Sequence, residues 1–263
     1  MTPEEYLKYK HETFRATVKE TRVPGEVLQW YGKDQAEKST TPEVMTLHLD
    51  HTLDWAGIDI NYQWNSLGYR GPEPDRTAPR KILFAGGSMM LGVGLPLELT
   101  LAETVARHYD ADYLNISDYD SLTELTEPFN TLGIDYDPDY VIIGDTRFVV
   151  ENNWLMAFIK QSLKQHKLEL RKEDLQFFQH TFDRTNKDVL DIFSGYVQSV
   201  FPRAKVMFLV APRKNFKFET GLTNQLTIDK HMMVDLSRDG AHPGPESIKL
   251  IAQAIIDKLD EKE

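Results

Sequence analysis

From Arg80 onward, short apolar runs alternate with longer stretches in which apolar residues recur every three or four positions. The runs fall at 81–85 (KILFA), 113–117 (YLNIS), 140–143 (YVII), 205–211 (KVMFLVA) and 231–236 (HMMVDL). Each has the length and β-branched or aromatic content of a buried strand. Between and after them, 97–109, 121–133, 147–166, 172–201 and 245–260 read as helices. The last is the clearest, with Ile248, Ile251, Ala252, Ile255 and Leu259 on one face. Five strands alternating with helices predict a parallel sheet covered on both faces, with right-handed crossovers. The functional edge of such a sheet lies at the carboxyl ends of its strands. The helices within 147–201 form an insertion between the third and fourth strands, charged enough to be mostly solvated.

The first 79 residues lack this regularity. Thr2-Pro3-Glu4-Glu5 has the capping residues of a helix start, and Leu7, Phe14 and Val18 share a face before Val23-Pro24-Gly25 ends the helix. Residues 25–79 carry Pro42, Pro72, Pro74 and Pro79 without sustained periodicity. The expected organisation is a helix and an irregular, short-stranded extension over 1–79, packed on a main domain over 80–263.

Composition narrows the function classes. The 263 residues carry a net charge of -11, which leaves no basic stripe for a nucleic-acid backbone. There is no cysteine, so thiol catalysis, disulfides and Cys-ligated zinc are excluded. The N-terminus has no apolar signal-peptide core and no apolar run approaches the length of a membrane span, so a cytoplasmic location is the expectation.

The candidate chemistry sits at two turns. In Lys81–Gly94, KILFAGGSMMLGVG, a buried strand breaks at Gly86-Gly87 and delivers Ser88 to a helix start. Such a serine either caps the helix or stands at the ligand-binding edge of the sheet as a nucleophile. A G-x-S-x-G elbow would need glycine where Met90 stands, a P-loop would need a following Gly-Lys-Ser/Thr, and Gly87, Gly92 and Gly94 lack dinucleotide-binding spacing. The second turn is Asp239-Gly240-Ala241-His242-Pro243-Gly244, ahead of the last helix. With this spacing an Asp239 carboxylate can accept from His242 Nδ1–H while Nε2 faces outward. Serine, histidine and an orienting carboxylate are the parts of an activated nucleophile.

These two blocks resemble those of SGNH/GDSL-type esterases and lipases, with Gly86-Gly87-Ser88 standing for Gly-Asp-Ser and Asp239-x-x-His242 for the C-terminal block. Asn65-Ser66-Leu67-Gly68-Tyr69-Arg70-Gly71-Pro72-Glu73 is similar to the N-S-x-G-x-R-G-P-E lead-in ahead of the first block in many members. The resemblance spans roughly 61–256. It implies a three-layer α/β/α sandwich of flavodoxin-like architecture, with Ser88 as nucleophile, His242 as base and Asp239 as its orienter. It also implies ester hydrolysis without a metal or organic cofactor, on a small-molecule or glycan-linked acyl ester such as a polysaccharide O-acetyl group.

The middle blocks depart from the family pattern. The glycine whose N–H helps form the oxyanion hole corresponds to Asp120, and the asparagine to Thr146 or Asp145. Losing one such donor costs about 100- to 1000-fold in turnover. A competing reading is therefore a catalytically weakened SGNH-like module that binds a glycan or serves in assembly.

Other clusters read as structural. His48, Asp50, His51 and Asp54 lie in an irregular polar stretch, and Asp135, Asp137 and Asp139 lack the glycine and glutamate of a calcium loop. Trp30, Trp55, Tyr62, Trp64 and Tyr69 supply core to an extension otherwise short of apolar residues, or line a groove for sugars or acyl chains.

Overall fold

The computed structural model describes residues 27–28, 60, 62–117, 125–144, 191–210, 225–237 and 242–261. The helix expected after Thr2, the residues His48 to Asp54, Trp30 and Trp55, and most of the 147–201 insertion lie outside these.

Among the described residues, β1 (Val27–Leu28) and β2 (Tyr62–Gln63) form a small antiparallel pair. The main sheet holds β3 (Lys81–Gly86), β4 (Asp112–Ser117), β5 (Tyr140–Gly144), β6 (Lys205–Val210) and β7 (Gln225–Thr227). All four pairings are parallel, in the order β4-β3-β5-β6-β7. The five-stranded parallel sheet read from the sequence is present, in the flavodoxin-like order. In that order the chain leaves β3 toward one side for β4 and crosses to the other for β5, opening a crevice beyond the carboxyl ends of β3 and β5. Register aligns those ends: Gly86 pairs with Ser117 on one side and Gly144 on the other.

The strands bury both faces, so alternate residues feed two cores. Ile82, Phe84, Ile142, Met207 and Leu209 point to one face. There they meet Leu101 and Val105 of the helix Leu101–His108 and Ile248, Ile251 and Ile255 of the C-terminal helix (Pro245–Asp260). Leu83, Ala85, Val141, Ile143 and Phe208 point to the other, against Phe129, Tyr136, Phe193 and Val197. Phe193 and Val197 belong to residues 191–200, which are helical and lay an apolar stripe on the sheet. The 121–133 prediction is met in part, by helical turns from Thr126 to Tyr136 that pass through a wider π-type turn at Phe129–Gly133.

One strand was misplaced by the apolar pattern. Residues 231–236 are not a strand: a 3-10 turn covers Lys230–Met232, and Leu236 makes only an isolated bridge to Pro243. The fifth strand is the three-residue β7, whose Gln225 and Leu226 are half-buried. Met233 and Val234 are 42% and 41% exposed, whereas the charged Asp235 between them and the helix is buried. The run is apolar in composition, but its one fully buried member is the acid.

At the amino edge of the sheet, far along the strands from the crevice, the Asp112 carboxylate accepts from the Tyr136 hydroxyl at 2.7 Å and the Asp75 N–H at 2.9 Å. Burial pushes the Asp112 carboxyl above its ordinary value. Asp139 accepts from Lys81 N–H, while Asp135 and Asp137 pair with Arg76 and Arg203. The three aspartates thus have structural partners.

Candidate active site

Ser88 opens a single helical turn, α1 (Ser88–Leu91), at the carboxyl end of β3. The cap position is Gly87, which contributes no side-chain bond, so the Ser88 hydroxyl is free of the capping role that the sequence left open. Gly86 brings the strand to the turn with φ +138, a conformation L side chains rarely adopt. A Cβ at Gly86 would lie 2.1 Å from the Gly144 carbonyl oxygen and 2.9 Å from Met90 Cγ. Only a bare backbone fits between β5 and the side chains of α1. Below α1, buried Asn115 donates from Nδ2 to the Met90 carbonyl at 2.8 Å, and Ser117 donates to Asn115 Oδ1.

His242 reaches the same point from the other end of the chain. Its Nε2 lies 2.6 Å from Ser88 Oγ, across 154 positions of sequence. Both residues are partly exposed, so the pair is open to solvent. A neutral imidazole accepting at Nε2 from the serine hydroxyl is the arrangement that generates an alkoxide-like nucleophile.

The loop carrying His242 is anchored on both sides. Ser237 N–H donates to the His242 carbonyl at 2.9 Å, Gly244 N–H donates to the Asp235 carbonyl at 3.0 Å, and Leu236 bridges Pro243. The C-terminal helix begins with Pro245 at its first position and has no side-chain bond from its cap, Gly244. Asp235 does the capping from ten positions back: its carboxylate accepts from Glu246 N–H at 3.0 Å and Ser247 N–H at 2.8 Å. The Ser247 hydroxyl donates to Asp235 Oδ1 at 2.7 Å and accepts from the N–H groups of Val234 and Asp235 at 2.9 and 3.0 Å. A Cβ at Gly244 would meet Asp235 Cγ at 2.5 Å, so the glycine leaves room for the acid. Asp235→Ala is expected to lower stability by about 1–3 kcal/mol, since it orphans two helix-start donors, and to loosen the His242 loop. Thermal denaturation checks the first effect. Asp235→Asn, which keeps an acceptor oxygen, should lose less.

Asp239 (with 238–241), Asp120 and the stretch holding Asp145 and Thr146 lie outside the described residues. Tyr62, Trp64 and Tyr69 are buried and contribute to the core. Sequence reasoning passed over Asp235, Asn115 and Ser247. Each is a buried polar residue whose partner lies elsewhere in the chain, and no local pattern marks it.

No protein-family model and no curated protein sequence matches the chain. Solved structures do. The chain is similar to a lipase from a goat rumen metagenome, with 13% identity and a TM-score of 0.46 over 68% of this chain and 97% of that one. It is similar to a family two carbohydrate esterase from Clostridium thermocellum, with 14% identity and a TM-score of 0.43 over 72% of this chain and 65% of that one. It is also similar to an acetylxylan esterase from Geobacillus stearothermophilus, with 14% identity and a TM-score of 0.42 over 70% and 96%. No described helix is long and apolar enough to cross a membrane.

Proposed function

We propose that this chain is a serine-dependent hydrolase of carboxylic esters of the SGNH/GDSL type, acting on O-acyl groups such as the O-acetyl groups of a polysaccharide. The observation that carries the reading is the 2.6 Å contact between Ser88 Oγ and His242 Nε2 at the carboxyl edge of the sheet. Ser88 Oγ attacks the ester carbonyl carbon as its proton passes to His242 Nε2. The tetrahedral intermediate collapses, the C–O bond to the alcohol breaks, and His242 returns the proton to the leaving oxygen. Water, deprotonated by the same nitrogen, then attacks the acyl-serine; the acyl–Oγ bond breaks, His242 returns the proton to Ser88 Oγ, and the carboxylic acid is released. Asp239 holds the tautomer that leaves Nε2 unprotonated.

The oxyanion is met by the backbone N–H groups of Ser88 and Asp120, with the Thr146 hydroxyl as third donor. An Asp120 side chain turned away from the carbonyl is a requirement of this assignment, because a carboxylate beside a developing oxyanion opposes it. The polysaccharide substrate is drawn from the likeness of residues 65–73 to the lead-in of polysaccharide-modifying members.

Treatment of the intact protein with a fluorophosphonate probe tests the reading. Covalent labelling that maps to the peptide holding Ser88, and that is lost on denaturation, is expected. A native protein whose serine resists the probe would instead support the non-catalytic binding module.

A further inference from the structure

Residues 65–73 fold as a closed loop in which Asn65, Ser66 and Glu73 spend their side chains on the loop itself. Asn65 Oδ1 accepts from the N–H groups of Leu67 and Tyr69 at 3.1 and 3.0 Å, and its Nδ2 donates to the Pro72 carbonyl at 3.1 Å. Gly68 turns the chain with φ +78. Glu73 closes the far side, accepting from Ser66 N–H and Ser66 Oγ, each at 2.6 Å. The inward product of this loop is Arg70, only 1% exposed. Its guanidinium donates from Nη1 to the carbonyls of Leu91 and Gly92 at 3.1 and 2.6 Å, and from Nη2 to that of Leu95 at 2.6 Å. It lies 4.1 Å from the centroid of the Tyr62 ring, whose hydroxyl accepts from Gly94 N–H at 2.7 Å.

Those carbonyls belong to the end of α1 and the loop that follows it. α1 is four residues long and ends at Gly92 in the left-handed conformation. One turn of helix does not sustain itself. At about 1.5 Å of rise per residue, its far end is some 6 Å from Ser88, so whatever fixes that end also fixes the hydroxyl. A cation at a helix carboxyl end, bonded to several carbonyls, is the favourable polarity for such an anchor. The seat is closed as well: a Cβ at Gly92 would meet Thr100 Cγ2 at 2.4 Å and Arg70 Nη1 at 3.4 Å.

We infer that Arg70 is a positioning residue for Ser88, and that residues 65–73 are the clamp that presents it. The inference rests on Ser88 being the nucleophile. It assigns a role in the reaction to a segment that lies outside the α/β/α layers.

Full-length Arg70→Met and Arg70→Lys test it at a temperature where circular dichroism shows each variant folded. Three quantities are read: amide hydrogen exchange across 88–95, the rate of fluorophosphonate labelling, and kcat and KM on p-nitrophenyl acetate. Methionine should accelerate exchange within 88–95 while β3 to β6 stay protected. It should also lower kcat by about 100-fold, the cost of misplacing a reacting group by an ångström or so, with KM little changed. Lysine, which keeps the charge but cannot fork to three carbonyls, should recover part of kcat. A folded methionine variant with wild-type exchange and labelling overturns the inference, as does faster exchange spread evenly over the sheet, which would mark a purely global role. If the methionine variant does not fold, the lysine variant carries the same comparison, and wild-type kcat in it overturns the inference. A wild-type serine that resists the probe defeats the Ser88 reading instead; the exchange data then judge the clamp separately.

Discussion

Ser88→Ala is expected to remove about 10⁴-fold or more of the turnover of short p-nitrophenyl esters while leaving the fold intact. The fold should survive because the Ser88 hydroxyl caps no helix; its described side-chain contact is the 2.6 Å bond to His242, worth about 1 kcal/mol. His242→Ala should cost a similar factor. The sharper expectation concerns the double variant. If the two residues act as one device, removing both costs little more than removing either, because the second loss falls on a site already without an activated nucleophile. Losses that multiply would show two independent contributions and contradict the shared proton transfer. Activity that survives Ser88→Ala would move the chemistry elsewhere. Steady-state kinetics on the three purified variants, with denaturation midpoints for each, decides among these outcomes.

How far such a site is legible before folding depends on where each residue's partners lie. The strands β3, β5 and β6 announce themselves because both faces are buried, which makes each a continuous apolar run. The C-terminal helix is equally plain, since its buried Ile248, Ile251 and Ile255 keep helical spacing. Ser88 stands out because it opens a helical turn after a strand, and His242 because it lies in the turn ahead of the C-terminal helix; both junctions carry glycine or proline signals. β7 is different. Three residues at a sheet edge, two half-buried and one exposed, need no apolar pattern, and the more apolar 231–236 carries the stronger strand signal. Asp235 and Arg70 are further from reach. A buried acid or arginine is spelled like a surface one, and only the assembled fold supplies the helix-start donors and carbonyls that justify burying them.

Gly86→Ala should be among the most damaging single-methyl changes in the chain, lowering stability by roughly 3 kcal/mol or more. Two costs coincide there. The φ of +138 strains any L side chain, and the added methyl would stand 2.1 Å from the Gly144 carbonyl oxygen, a backbone atom held in the β3–β5 ladder. At about 2–4 °C per kcal/mol for a domain of this size, the midpoint of thermal unfolding should fall by about 6–12 °C. Gly144→Ala is the informative comparison. Its methyl would meet Met90 Sδ at 2.1 Å and Cγ at 2.6 Å, atoms of a flexible side chain rather than of a strand. The two substitutions should therefore respond differently to Met90→Ala. Removing the thioether should relieve most of the cost of Gly144→Ala and leave the Gly86→Ala cost nearly unchanged, since the obstructing carbonyl is still there. A double-mutant cycle from denaturant midpoints measures both couplings. Equal relief in the two cases would mean that crowding by Met90, rather than the approach of β5's backbone, is what requires glycine immediately before the serine turn.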